Sequence, residues 1–356
     1  MKTLALVPWD ISGNDSGGKQ RCYALLTALP NVTTFALSWE NQEKETTLDG
    51  MPYRVIPAGV HAMDRASRLF ASGFHSFDVM PTLCRDDLNV LRKAIDDFDP
   101  DLIILEHPWL VEFTGGRPHV YDAHNWEADN IAQLFGTRTL DYELVRDIEK
   151  FAISGAEHVT YASQLDWEAL GETMHLPAGT HVPNGTHIPD SVTAGNNNNL
   201  LFIGSMYQPN IDAAQLLADM ADLLPEYQIH LVGASSLAVT TSAPNVIRHG
   251  VMHDTQLERL MLSADVFVNL VTHGSGTHLK LAHAMSYGIP VVTLPVGSRG
   301  YGHDVITCGL EEIPATIDMV QKDWATFSRE ARIAAQRSYD WATIRAKFAD
   351  TIHALQ

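Results

Sequence analysis

Residues 272–283, THGSGTHLKLAH, put two glycines, hydroxyl side chains and a lysine directly behind the apolar run DVFVNLV (265–271). Glycines let backbone N–H groups approach a ligand closely. A helix starting near Thr277 would aim its partial positive end into the same loop. Lys280 in the first turn opposes that dipole, a conflict that a phosphate bound between them resolves. Lys280 and the backbone amides of the stretch 272–280 are therefore a candidate phosphate cradle, though the Gly-x4-Gly-Lys-Ser/Thr spacing of a Walker A loop is absent. His283 follows Lys280 by three residues and shares its helix face. It can be read equally as a ligand contact or as a structural histidine.

Two segments of the first half carry similar chemistry. In WDISGNDSGGKQR (9–21), Gly17 and Gly18 stand at a predicted helix start behind a first strand, where a simple turn is the other reading. The spacing is not Gly-x-Gly-x-x-Gly, and no acidic residue closes a second strand about 20 positions on, which argues against a nicotinamide site. In YDAHNWEADN (121–130), His124, Asn125 and Glu127 crowd a strand end, where sites form. Asp122 and Asn125 also suit turn and cap roles. No Ser-His-Asp order, HExxH or CxxC occurs, so metal and acyl-transfer chemistry have no positive support.

The elements that must position these residues alternate along the chain. Strands are predicted near 3–8, 33–39, 53–57, 101–106, 119–123 and 158–163, then near 200–204, 228–233, 245–250, 265–271 and 290–295. Helical patterns at 19–29, 86–98, 210–224 and 254–263 separate many of them. Alternating strands and helices imply βαβ units and parallel sheets covered on both faces. Ligands of such sheets sit at the carboxyl ends of the strands. The polar run TAGNNNNLL (193–201) interrupts the alternation and reads as a linker over 193–199. It would divide a domain 1–192 from a domain 200–337, with a closing amphipathic helix over 338–356 that can pack back on the first domain.

The chain has 356 residues, 45% hydrophobic, and a net charge of −19. That charge disfavours a nucleic-acid backbone as partner and allows at most weak attachment to a membrane surface. No apolar run approaches the ~18 residues of a membrane-spanning helix. The start, MKTLALVPWD, reads as a strand, not an export signal. Cys22, Cys84 and Cys308 lie far apart without metal spacing, which suits the cytoplasm.

With these pieces in order, the chain resembles the retaining GT-B glycosyltransferases of the "group 1" family. The resemblance covers most of the chain. It rests on Gly17-Gly18, DAHNWE (122–127), ASQLD (162–166), VPNGT (182–186), LFIGSMYQPNIDAA (201–214), HLVG (230–233) and GSGTHLKLAHAMSYGIPVV (274–292). It implies an α/β fold of two Rossmann-like domains facing a cleft. The second domain would bind a nucleotide-diphospho-sugar and the first a hydroxyl acceptor, with no metal or other cofactor. By position, His124 and Lys280 would be catalytic, Lys280 neutralising the donor diphosphate. Gly17, Gly18, Gly204, Ser205, Gly250, Val251, Met252, Ser275, Gly276, Thr277, His283 and Arg299 would contact the donor, and Asn125 and Glu127 the acceptor.

The family usually carries two glutamates eight residues apart in the last motif; here they fall on Ser275 and His283. SMYQPN (205–210) also lacks the usual Arg and Lys, leaving the phosphate charge to Lys280, amides and Arg299. The implied activity is transfer of a hexose with retention. A non-catalytic nucleotide-binding or partner subunit of the same fold, and a sugar-nucleotide epimerase, are the alternatives.

Overall fold

The computed structural model describes residues 1–13, 16–40, 43–274 and 276–356, with the backbone alone at Phe77. Two compact units are present: residues 1–183 together with 344–356, and residues 184–343.

The first unit holds eight strands, β1 (Thr3–Val7), β2 (Val32–Ser38), β3 (Lys44–Leu48), β4 (Met51–Pro57), β5 (Leu102–Glu106), β6 (His119–Ala123), β7 (His158–Tyr161) and β8 (Gly179–His181). Their order in the sheet is β3-β4-β2-β1-β5-β6-β7-β8. Only β3 is antiparallel to its neighbour. β1 and β5 are buried along their whole length, as expected for a parallel sheet covered on both faces. β3, KETTL, lies at the edge, polar and largely exposed. Its charges protect an open edge, and it has no apolar run to betray it in the sequence. Leu4, Leu6, Phe35, Leu37, Ile103 and Leu105 join helical Leu91 and Ile95 in the core.

The second unit holds β9 (Asn199–Ile203), β10 (Gln228–Val232), β11 (Val246–Gly250), β12 (Val266–Asn269), β13 (Val291–Thr293) and β14 (Ile306–Thr307). The sheet order is β11-β10-β9-β12-β13-β14, all parallel. The polar run 193–199, read above as a linker, is bonded into this unit. Asp265 accepts from the amides of Asn197 (3.1 Å) and Asn199 (2.7 Å), and Thr193 Oγ1 donates to Ala264 O at 2.7 Å.

The helix expected over 338–356 is Trp341–His353, and a further helix, Trp324–Ser338, leads into it. At the break, Thr186 N–H donates to Tyr339 O (2.7 Å) and Trp341 N–H to Thr186 O (3.1 Å). From Ile344 onward the chain belongs to the first unit. Ile344, Phe348 and Ile352 are buried there, and Gln356 Nε2 donates to Thr3 Oγ1 at 3.0 Å. No helix among the described residues is long and apolar enough to cross a membrane.

Candidate functional site

In the first unit the polar side chains gather at the carboxyl ends of β5, β6 and β7, beside the start of helix Gly17–Leu26. Arg21 and Asp122 form a two-pronged pair, Nε to Oδ2 at 2.8 Å and a terminal nitrogen to Oδ1 at 2.7 Å. Arg21 also donates to Val182 O, and Thr160 Oγ1 donates to Asp122 Oδ1. Burial alone would raise the Asp122 carboxyl, but Arg21 and His124 together outweigh it and hold the group well below the carboxylate range. His124 Nε2 lies 2.7 Å from Glu106 Oε2 and 3.2 Å from Asp122 Oδ2. Burial works against its charge, yet these bonds prevail and raise the imidazole above its ordinary value. Its bonds to Asp122 and Glu106 thus favour the charged form of His124.

His107, beside it, behaves oppositely. Its Nδ1 lies 2.8 Å from Glu127 Oε1, which also accepts from Asn125 Nδ2. Burial first, and the charge of His124 second, push its pKa down to about 4, so the ring is neutral at pH 7. It packs against His124, ring centres 3.9 Å apart, and edge-on to Trp9 at 4.6 Å. Its backbone has φ 64 and ψ 160, a region almost reserved for glycine that costs about 1–3 kcal/mol to occupy. Nε2 of His107 and Nε1 of Trp9 are buried with no hydrogen-bond partner among the described residues. A Cβ on Gly18 would stand 3.8 Å from His107 Nε2 and 3.8 Å from His124 Nδ1. Gly18, with no side chain, thus lies directly over both rings. Behind them, Glu149 accepts from the amides of Glu127 (2.8 Å) and Ala128 (3.0 Å), capping helix Glu127–Phe135.

Cys22, Glu106 and His124 bring a sulfur, an oxygen and a nitrogen within 4.8 Å of one another, donors able to ligate a metal. Arg21 and His124 already bond the two carboxyl groups of Asp122 and Glu106. The Cys22 thiol is driven up by burial and then by Glu106, so it offers no thiolate. The set does not fit a metal.

In the second unit, the carboxyl ends of β9, β11, β12 and β13 and the segments after them carry the predicted donor residues other than Gly17 and Gly18. Helix Leu279–Ser286 begins at the expected loop, with Lys280 in its first turn. Lys280 Nζ donates to Asn210 Oδ1 at 2.7 Å and sits 4.4 Å from the centre of the Phe202 ring. Burial lowers its pKa to about 7. Asn210 Nδ2 donates to Ser205 Oγ, which ties that predicted residue to the lysine. Thr277 Oγ1 accepts from Asn184 Nδ2 at 2.6 Å, and Arg299 donates to Gly274 O. His278 stands at the position before the helix without a capping side-chain bond, its pKa pressed to about 3 by burial, then Lys280 and Arg299. Gly204 and Gly233 approach so closely that a Cβ on Gly233 would run into the Gly204 carbonyl oxygen.

Of the other predicted donor residues, Gly250 has φ 67, Val251 is 78% exposed and Met252 is partly buried. Gly276 has φ 74. His283 lies one turn beyond Lys280, lowered by burial and then by His187, its ring edge-on to Tyr287. Ser275 lies outside the described residues. Glu127, expected to face an acceptor, is buried and bonded to His107 and Asn125. His107 and Arg21 escape sequence reasoning. Their partners lie 20 and 101 positions away, and EHPW (106–109) hints at a site only through a histidine and a proline at a strand end.

No curated protein matches the chain in sequence. Residues 197–318 match the family model described as "Glycosyl transferases group 1". Among solved structures, sucrose-phosphate synthase from Thermosynechococcus elongatus is similar over 100% of this chain and 99% of its own, at 15% identity and a TM-score of 0.77. HepE of Anabaena in complex with UDP-glucose is similar over 99% of each chain, at 16% identity and 0.68. WaaG, a glycosyltransferase involved in lipopolysaccharide biosynthesis, is similar over 98% of this chain and 99% of its own, at 16% and 0.64. Residues 197–318 thus carry the sequence pattern of the group 1 glycosyl transferases, and the chain over its whole length has the GT-B fold of these structures.

Proposed function

We propose that the chain is a retaining glycosyltransferase that moves a hexose from a nucleotide-diphospho-sugar to a hydroxyl acceptor. The observation that carries this reading is Lys280. It is a lysine at a helix start that donates to the side-chain amide oxygen of Asn210 and lies over the Phe202 ring, its charge disfavoured by burial. A cation kept so has an unmet demand for an anion, and a diphosphate beside the helix dipole supplies it. The matched family span 197–318 includes this loop, and HepE, of the same fold, is described with UDP-glucose.

Catalysis in this reading is mainly electrostatic. Lys280, the helix-start amides and Arg299 stabilise the leaving diphosphate, and its oxygen takes the acceptor proton on the face it leaves. Ser205, Gly204 and residues 250–252 contact the donor, His283 stands where a ribose is gripped, and Asn125 faces the acceptor side. No metal is assigned a role, and the place of work is the cytoplasm.

The test is release of nucleoside diphosphate from a panel of sugar nucleotides, UDP-glucose first, by wild type and Lys280→Ala. The alanine variant should lose about 3 kcal/mol of barrier lowering. Undiminished release by Lys280→Ala overturns the assignment.

A further inference from the structure

We propose that His107 touches substrate, its Nε2 accepting a hydrogen bond from a sugar hydroxyl, with Glu127 as its positioning residue. The identity of that sugar as donor or acceptor rests on the transferase reading above; the hydroxyl contact does not.

Four observations converge. Nε2 is buried without a partner among the described residues, and buried nitrogens in folded proteins are otherwise nearly always bonded. It lies beneath Gly18, 3.8 Å from where a Cβ would stand. The residue holds a backbone conformation that glycine alone occupies readily, so the fold pays to aim this ring. Glu127, acceptor-only as a carboxylate, lies 2.8 Å from Nδ1 and so places the proton there. That leaves Nε2 with a lone pair, which suits a hydroxyl donor and repels a phosphate oxygen. Also beneath Gly18, His124 has its Nε2 bonded to Glu106 and Asp122, and in the charged form those bonds favour it presents Nδ1–H. One acceptor and one donor side by side match a hydroxyl group, or two neighbouring ones.

The experiment is nitrogen-15 NMR of the histidine rings in the full chain, titrated separately with UDP, UDP-glucose and methyl α-glucoside. The expected result is a His107 ring protonated on Nδ1 alone, with an Nε2 resonance that a sugar-bearing probe moves and UDP leaves in place. Movement by UDP-glucose only assigns the hydroxyl to the transferred sugar; movement by the glucoside assigns it to the acceptor. In parallel, His107→Phe should cut turnover of UDP-glucose by roughly tenfold or more at unchanged UDP affinity, with His107→Gln, whose amide oxygen still accepts, falling less. A protonated Nε2, an Nε2 that no sugar probe moves, or full turnover by folded His107→Phe overturns the proposal. If wild type turns over no sugar nucleotide while methyl α-glucoside still moves Nε2, the transferase reading fails and this one stands.

Discussion

Arg21 and Asp122, 101 positions apart, meet in a two-pronged ion pair with side chains 1% and 0% exposed. The pair joins the first helix of its unit to the end of β6 and fixes the carboxylate on which His124 leans. Neither charge has water to fall back on, so each depends on the other.

Arg21→Met therefore strands a buried carboxylate. We expect a loss of about 3–5 kcal/mol of stability at pH 7, read by chemical denaturation of the first unit's tryptophan signal. The sign with pH follows from the lowered pKa of Asp122. The pair's contribution is present above the unfolded carboxyl value of 3.8 and fades as pH falls below it, so wild type and variant should converge in acid. A constant gap down to the lowest accessible pH would contradict this.

Gly18→Ala separates function from folding. The added Cβ would meet Trp9 at 3.5 Å and the two histidine nitrogens at 3.8 Å, ordinary contact distances, and Gly18 is not among the positive-φ glycines. Melting temperature should hold or rise slightly, since Gly→Ala at a compatible site gains about 0.4–1 kcal/mol. Turnover should nevertheless fall, because the methyl group takes the space directly over His107 Nε2 and His124 Nδ1. Equal turnover in the variant would mean that substrate enters elsewhere.

Lys280 predicts a pH dependence of anion binding. Free, its pKa is about 7; a bound diphosphate raises it. Above pH 7 binding must then take up a proton, so UDP affinity should weaken as pH rises from 7 to 9. Ionisation of the UDP phosphate, complete by then, would act the other way on a fixed cation. Calorimetry across this range should show the decline in wild type and a flat profile in Lys280→Met.

Gly233 marks a point where two strand ends touch. Its φ is 89, and a Cβ would collide with the Gly204 carbonyl oxygen. Gly233→Ala should destabilise the second unit by about 2 kcal/mol or more, through left-handed strain and the clash together. A melting curve that matches wild type would show that the loop relaxes freely.

Much of this molecule is legible in one dimension. The apolar runs at 3–8, 101–106, 200–204 and 265–271 are strands because side chains buried on both faces must be apolar throughout. The loop before Lys280 is recognisable because phosphate chemistry needs small residues, a helix start and a cation close together in sequence. Helix Leu279–Ser286 begins where that argument puts it. His107 was not legible, because its meaning lies in Glu127, Trp9 and Gly18, which only the β5–β6–β1 arrangement gathers around it. The same holds for Arg21, an ordinary surface residue by type, whose burial follows from a partner 101 positions on. Even the polar run at 193–199, which reads as a linker by composition, is fastened by Asp265 from another strand's start. Periodicity and local motifs are written in neighbouring residues; desolvation and pairing are set by which distant segments the sheet order brings into contact.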